Sequence, residues 1–233
     1  MIERIVPTVV KAAEEFGEPD PRAEEQLFPE EHRIVARAVD KRRREFASVR
    51  SCARAALSDL GVGYVPLLSG PRGEPLWPDG VVGSMTHCQG YRGAVVARAA
   101  ELPGAAPVLG MDAEPDEPLP RGILERIALP AERERIEELR AAEGRGETPC
   151  GPGPHWDRLL FCAKEAVYKA WYPLTERWLG FDEADIRMDL SGTLSVRLLV
   201  TGPTVRAGTV AGFSGRWTAG RGLVLAAVTG AEL

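Results

Sequence analysis

The run Phe161-Cys162-Ala163-Lys164-Glu165-Ala166-Val167-Tyr168-Lys169-Ala170-Trp171 sets one carboxylate between two lysines in an otherwise apolar pattern. On a helix, Glu165 and Lys169 stand i and i+4 and share a face. Leu159, Ala163, Ala166 and Ala170 recur at core spacing and mark another, buried face. Upstream lies Gly110-Met111-Asp112-Ala113-Glu114. Read as a strand, Leu109, Met111 and Ala113 point one way and Asp112 and Glu114 the other. Asp112, Glu114 and Glu165 are the candidate metal site. Mg2+, with Mn2+ as an alternative ion, takes oxygen ligands and is held by few carboxylates plus substrate phosphate. Lys164 and Lys169 are candidate phosphate binders, since an ammonium stabilises charge growing on a phosphoester leaving group. Lys164 stands about 100° round the helix from Glu165, so it flanks the metal face. Glu165, Lys169 and Asp112 form the candidate catalytic set.

A second basic group is Lys41-Arg42-Arg43-Arg44, followed by Arg50 and Arg54. On a helix Arg43, Arg50 and Arg54 share a stripe. Such a patch suits a phosphomonoester remote from the metal, although charge runs are commonly solvated faces. His87 lies in Gly83-Ser84-Met85-Thr86-His87-Cys88, among small polar residues that suit phosphate contact. His32 and His155 have no such surroundings and are read as structural.

The elements that must position these residues follow from the pattern along the chain. A short helix and an irregular segment are expected over 1–30, and a helix over 30–60 stopped by Gly61. A Pro- and Gly-rich loop covers 66–83. Short strands are expected at 81–84 and 93–98, with His87 on the loop between them, and another at 108–114. A proline-punctuated loop at 115–120, a charged exposed helix at 131–143 and a mobile loop at 144–154 come next. The helix 155–174 carries the Lys-Glu run. Strands at 186–188, 193–200, 209–214 and 223–229 complete a β-rich tail.

Two echoes keep the order helix, then strand. Cys52-Ala53-Arg54-Ala55-Ala56-Leu57 resembles Cys162-Ala163-Lys164-Glu165-Ala166-Val167, and Arg92-Gly93-Ala94-Val95-Val96-Ala97 resembles Arg221-Gly222-Leu223-Val224-Leu225-Ala226. Together they predict an α+β fold of two similar halves, 1–106 and 107–233, each a small antiparallel sheet packed with a long helix. A ligand would sit in the cleft between them.

Composition bounds the function. The chain has 233 residues, 44% hydrophobic and 27% charged, which is ordinary for a globular protein. A net charge of -5 argues against general nucleic-acid binding. The four cysteines, Cys52, Cys88, Cys150 and Cys162, form no C-x-x-C pair, and with three histidines a structural zinc site is not expected. They read as reduced thiols. No apolar run approaches the roughly 18 residues that span a bilayer. Met1-Ile2-Glu3-Arg4 opens no signal peptide, so the expected location is the cytoplasm.

In their order and spacing, Gly73-Glu74-Pro75-Leu76-Trp77-Pro78, then 83–88, then Gly110 to Pro115, then Phe161 to Trp171 resemble the 4'-phosphopantetheinyl transferases of the surfactin-synthetase-activating type. The branch is that of enterobactin component D and the actinobacterial enzymes. The resemblance runs from Arg42 to Thr229. It implies a pseudo-twofold α+β fold with coenzyme A in the central cleft. It implies Mg2+-dependent transfer of phosphopantetheine from coenzyme A to a serine of an apo acyl or peptidyl carrier protein, releasing adenosine 3',5'-bisphosphate. By position, Asp112, Glu114 and Glu165 resemble the metal ligands, and Lys164 and Lys169 the pyrophosphate contacts. Arg42, Arg50 and His87, with Thr86 beside it, resemble the contacts at the 3'-phosphate end. Gly73, Glu74 and Pro75 resemble the adenine-side loop. Ser69 stands where members of the family often carry a lysine, and Arg72 is the nearby substitute.

The resemblance further implies a monomer, because duplicated halves remove the need for the trimer of the shorter holo-carrier synthases. Glu165 is the general-base candidate, directly or through a metal-bound water. The run 171–179 is the candidate carrier-docking surface, with the helix 131–143 as a second contributor. Two other readings fit some of the same residues. One is a coenzyme A-binding module without catalysis, which would not need the full carboxylate and lysine set. The other is a Mg2+-dependent phosphohydrolase, which leaves the basic helix unexplained.

Overall fold

The computed structural model describes residues 1–145 and 153–233, and its elements run twice through one order. The first pass is strand β1 (Lys11–Phe16), a short helix α1 (Pro29–Val35), a long helix α2 (Asp40–Asp59), and the hairpin β2 (Val81–Cys88) and β3 (Tyr91–Arg98). The second is strand β4 (Gly110–Pro115), short helices α3 (Leu124–Ile127) and α4 (Pro130–Gly144), and a long helix α5 (Trp156–Thr175). Strands β5 (Ala184–Met188), β6 (Thr193–Leu198), β7 (Thr204–Val205) and β8 (Gly208–Thr209) intervene before the hairpin β9 (Gly212–Gly220) and β10 (Leu223–Glu232). In both passes the opening strand pairs antiparallel with the last strand of the hairpin. The sheet orders are β1-β3-β2 and β4-β10-β9-β6-β5, and β7 pairs with β8 apart from them. Both long helices have 20 residues.

Two-residue periodicity explains the layering. In β3, Ala94 and Val96 meet Cys52, Ala53, Ala56 and Leu57 of α2, while Tyr91, Val95 and Ala97 face the other way. There they pack on Met111 and Ala113 of β4 and Leu225 and Ala227 of β10. Val224, Ala226 and Val228, on the far face of β10, pack on Leu159, Ala163, Ala166 and Ala170 of α5. The order is therefore helix, sheet, sheet, helix. The two sheets share one apolar core, so the halves are not separate globules.

The repeat extends to buried charge. Glu31 and Glu132 each stand two residues after the proline that opens a short helix. Each accepts the backbone N–H just before that proline, Phe28 to Glu31 at 2.9 Å and Leu129 to Glu132 at 2.8 Å. Each also accepts a distant N–H, Leu67 to Glu31 and Ile186 to Glu132, both at 2.8 Å. Each pairs with a cation of the long helix: Arg54 with Glu31 and Lys164 with Glu132, both at 2.9 Å. Arg54 and Lys164 are the positions that match in the sequence echo. Every acceptor is filled by an N–H, which makes these buried carboxylates tolerable.

Several expectations need correction. Residues 11–16 form strand β1, although Lys-Ala-Ala-Glu-Glu-Phe has no apolar alternation; pairing with β3 decides it. The helix expected over 30–60 is two helices, because Val39 is extended at the start of α2. Gly61 follows the second of them with φ of 74°. His87 lies within β2, opposite Arg92, and not on a loop. Most of the loop expected at 144–154 lies outside the described residues.

Gly110 lets β4 lie directly on α5. A Cβ there would press on Ala166 O and lie 2.7 Å from Ala170 N. Gly110→Ala should therefore destabilise the protein by about 1–3 kcal/mol, read as a lower urea midpoint. An unchanged midpoint would mean that the strand and helix are not in fixed contact.

Candidate active site

A cleft of about 270 Å³ opens between the halves. One wall carries Arg42, Arg50 and His87 from the first half, and the other carries Glu165, Tyr168 and Lys169 from α5. Arg72, Gly73, Glu74 and Pro75 close one side. That loop is pinched by a bridge between Ser69 and Pro75, and Gly73 turns it with φ of 85°. Trp77 packs closely on Gly83 of β2, where a Cβ would lie 2.8 Å from the indole.

Asp112 sits behind this cleft with only 5% exposure. Its Oδ1 accepts from Thr86 Oγ1 and Lys169 Nζ, both at 2.7 Å. Its Oδ2 is buried with no partner among the described residues. Glu114, next along the same face of β4, is held at 3.1 Å by Arg158, two turns before Glu165 on α5. Burial raises the Glu165 pKa and the Asp112 charge raises it further, against Lys169. Burial and Asp112 raise Glu114 in the same order, against Arg158.

No three His, Cys, Asp or Glu side chains among the described residues are gathered tightly enough to enclose an ion. The donor set nevertheless fits a hard divalent cation. It supplies only carboxylate oxygens, one of them buried and unpartnered, and it opens on a cleft where a phosphate can supply the rest. The residues that would hold it are Asp112, Glu114 and Glu165.

At the other wall, Arg42 donates Nη1–H to His87 Nε2 at 2.8 Å. Arginine cannot accept, so that ring nitrogen carries no proton. Burial lowers the His87 pKa, which agrees with a neutral ring, and Glu45 3.9 Å from Nδ1 opposes the shift. Arg50 is buried against the Phe46 ring, 3.2 Å from its centroid. It donates to Leu67 O at 2.9 Å and Ser69 Oγ at 3.1 Å. Burial pulls its pKa down to about 10, so it stays charged at neutral pH. Ser69, in the place of the family lysine, thus receives a guanidinium.

The sequence-derived site is brought together with exceptions. Lys164 does not face the cleft from its side of α5. Its ammonium, lowered in pKa by burial, is bound by Glu132, by Phe181 O at 2.6 Å and by Ala184 O at 2.9 Å. All three of its donors are used, so it ties α5 to the rest of the second half. Thr86 faces Asp112. Arg43 and Arg54 are paired with Glu24 and Glu31, so the basic stripe on α2 is not a free surface. Of the run 171–179, Trp171 is core, whereas Trp178 is 65% exposed and packs at a tilt against Tyr168. Arg158 and Trp77 were missed as site residues. The spacing of Arg158 to Glu165 on one helix face was the available signal.

Two family models match in succession: the N-terminal domain of 4'-phosphopantetheinyl transferases over residues 30–97 and the 4'-phosphopantetheinyl transferase superfamily over 108–219. The 4'-phosphopantetheinyl transferase Svp of Streptomyces mobaraensis is 53% identical over 98% of this chain and 88% of its own length. PptT of Mycobacterium tuberculosis is 49% identical over 86% and 85%, and Npt of Nocardia iowensis 44% over 98% and 99%. The chain belongs to the 4'-phosphopantetheinyl transferases. Its branch is the actinobacterial one. In this transferase the motifs meet at one cleft, with Arg42, Arg50 and His87 at one wall, Glu165 and Lys169 at the other, and Asp112 behind it.

The raised carboxylates carry a stability consequence. A glutamate whose folded pKa lies above its unfolded value is harmless while protonated in both states. It costs stability as pH rises through its folded pKa. Glu165→Gln removes that cost. The ligand-free variant should melt higher than the parent at pH 8, on the order of 2 °C, with the gap closing toward pH 4. A variant that melts lower at pH 8 would show that Glu165 is not destabilised in the fold.

Proposed function

We propose that this transferase moves 4'-phosphopantetheine from coenzyme A to a serine of apo carrier proteins, with release of adenosine 3',5'-bisphosphate. The single observation behind this reading is the polarity of the cleft. Arg42, Arg50 and His87 suit the 3'-phosphate, and Lys169 with the Asp112 and Glu165 carboxylates suits a pyrophosphate with its cation. Coenzyme A carries its phosphates in two such separated groups. Gly73, Glu74, Pro75 and Arg72 would flank the adenine between them.

The serine oxygen forms a bond to the β-phosphorus, the bond from that phosphorus to the bridging oxygen breaks, and adenosine bisphosphate leaves with the electron pair. The serine proton passes to Glu165, directly or through water. A carboxylate held beside a divalent cation would stay ionised and only weakly basic, which favours the route through water. Lys169, in the cleft wall, donates to the phosphate oxygens on which charge accumulates. Mg2+, or Mn2+, held by Asp112, Glu114 and Glu165, would neutralise the pyrophosphate and polarise the phosphorus under attack.

Three further readings belong with this one. The halves divide at 106/107. The enzyme acts as a monomer, since one chain supplies both walls of the cleft. Its place is the cytoplasm: no helix of the described residues is long and apolar enough to cross a membrane, and Cys52, Cys88 and Cys162 are free thiols.

The test is the intact mass of an apo carrier incubated with enzyme, coenzyme A and Mg2+, beside a chelated sample. A phosphopantetheine mass gain that chelation abolishes is expected. Glu165→Gln should lower transfer by about 10²-fold or more while coenzyme A binding stays within a few-fold. No gain with fatty-acid, polyketide or peptide carriers, or full activity in the variant, would overturn the reading.

A further inference from the structure

The first half departs from the repeat at one buried position. Four residues before Lys164 stands Leu160, packed in the core of the second half. Four residues before its counterpart Arg54 stands Arg50. A guanidinium thus occupies the place of a leucine, at a site only 4% exposed, and it lines the cleft. A charge is kept at such a depth only where its surroundings hold it and its exposed edge has a use.

Its surroundings are specific. Phe46 supports its plane, Leu67 O takes Nε, and Ser69 Oγ takes Nη2. Nη1 reaches only Phe46 O, at 3.5 Å, the limit of a hydrogen bond. Among the described residues one carboxylate lies within ion-pair reach, Glu31, with Oε1 3.8 Å from Nε. Glu31 is 0% exposed and does not line the cleft. Its Oε1 accepts Leu67 N–H, while Leu67 O accepts from Arg50, so this residue is held from both of its backbone polar groups. Glu31 also lies between two cations one turn apart on α2, Arg50 and Arg54, and offsets their repulsion. Glu132 does the same structural work in the second half with one cation and no arginine in the cleft.

We propose that Glu31 is a positioning residue that fixes the Arg50 fork toward the cleft, and thereby sets the preference for coenzyme A over the same molecule without its 3'-phosphate. This rests on the reading above that Arg50 meets the 3'-phosphate. Glu31 itself touches neither substrate nor metal.

The test is calorimetric binding of coenzyme A and 3'-dephospho-coenzyme A to the parent enzyme, Arg50→Lys and Glu31→Gln, with thermal melts of each. Replacing the fork by a point charge in Arg50→Lys should lower the preference for the 3'-phosphate about tenfold. Glu31→Gln should lower it about three- to tenfold while binding of the dephospho form stays within about twofold. An unchanged preference in Arg50→Lys would refute the 3'-phosphate assignment itself. With Arg50→Lys behaving as expected, two results in Glu31→Gln overturn the present inference. Equal weakening of both ligands means a general structural role. A stronger preference means that Glu31 acts only as a charge behind the phosphate site. If Glu31→Gln does not fold, Glu31→Asp keeps the charge but withdraws it from Leu67 N–H. The same fall in preference is expected there, and an unchanged preference overturns the inference.

Discussion

Burying Asp112 is the constraint on which the rest of this structure depends. A lone ionised carboxylate removed from water is intolerable in an apolar interior, so its partners are obligatory. They come from two places: Thr86 from the first hairpin and Lys169 from α5, both to Oδ1. Thr86 thus ties the first half to the metal side of the second. Nearby, Ser84 of β2 accepts the Met111 N–H at 3.0 Å, a second tie across the same seam. The polar seam and the shared apolar core beside it join the two walls of the cleft.

Duplication supplies the cleft, and departures from duplication supply its chemistry. The same strand, short helix, long helix and hairpin recur, each braced by a buried glutamate that satisfies two backbone donors and one helix cation. These braces make the repeat recognisable and contribute no reacting group. The proposed site lies where the halves differ: Arg50 against Leu160, and Glu165 with Lys169 on a helix whose counterpart has neither. The second half also extends its sheet with β5 and β6 beyond β9. The corresponding edge of the first sheet, β2, instead lies beside β4 and presents Thr86 to Asp112.

The sequence made the strong periodicities legible. The buried face of α5, the alternation of 109–114 and the order of the two halves follow from apolar spacing and local echoes, and the structure agrees with each. Strand β1 was hidden because its Ala, Glu and Lys residues owe their conformation to β3. The break before α2 was hidden because Ala36 to Val39 have no proline or glycine, and tertiary packing of α1 decides it. Lys164 shows the limit for site residues. Its position beside Glu165 resembles a phosphate contact, but α4, remote in sequence, brings Glu132 to it. No local pattern discloses which of two neighbouring lysines faces a core carboxylate and which a cleft. Arg50 and Arg54, one turn apart, show the same limit: one lines the cleft and the other closes a brace.

The charges around the cleft are arranged in a direction that suits a ligand bearing both a cation and anionic groups. Asp112, Glu114 and Glu165 converge on one region, where Lys169 and Arg158 are the cations that meet them. Burial first, and then the Asp112 charge, raises the pKa values of Glu114 and Glu165, and one Asp112 oxygen has no partner among the described residues. A fold selected for stability alone would replace one of these carboxylates by an amide or an apolar side chain. The opposite wall has the complementary excess, with Arg42 and Arg50 held near a neutral His87. A ligand that brings a cation to one wall and an anion to the other would complement the charges of both. Side chains such as Asp112 and Arg50, already fixed by buried hydrogen bonds, contribute to binding with little ordering cost.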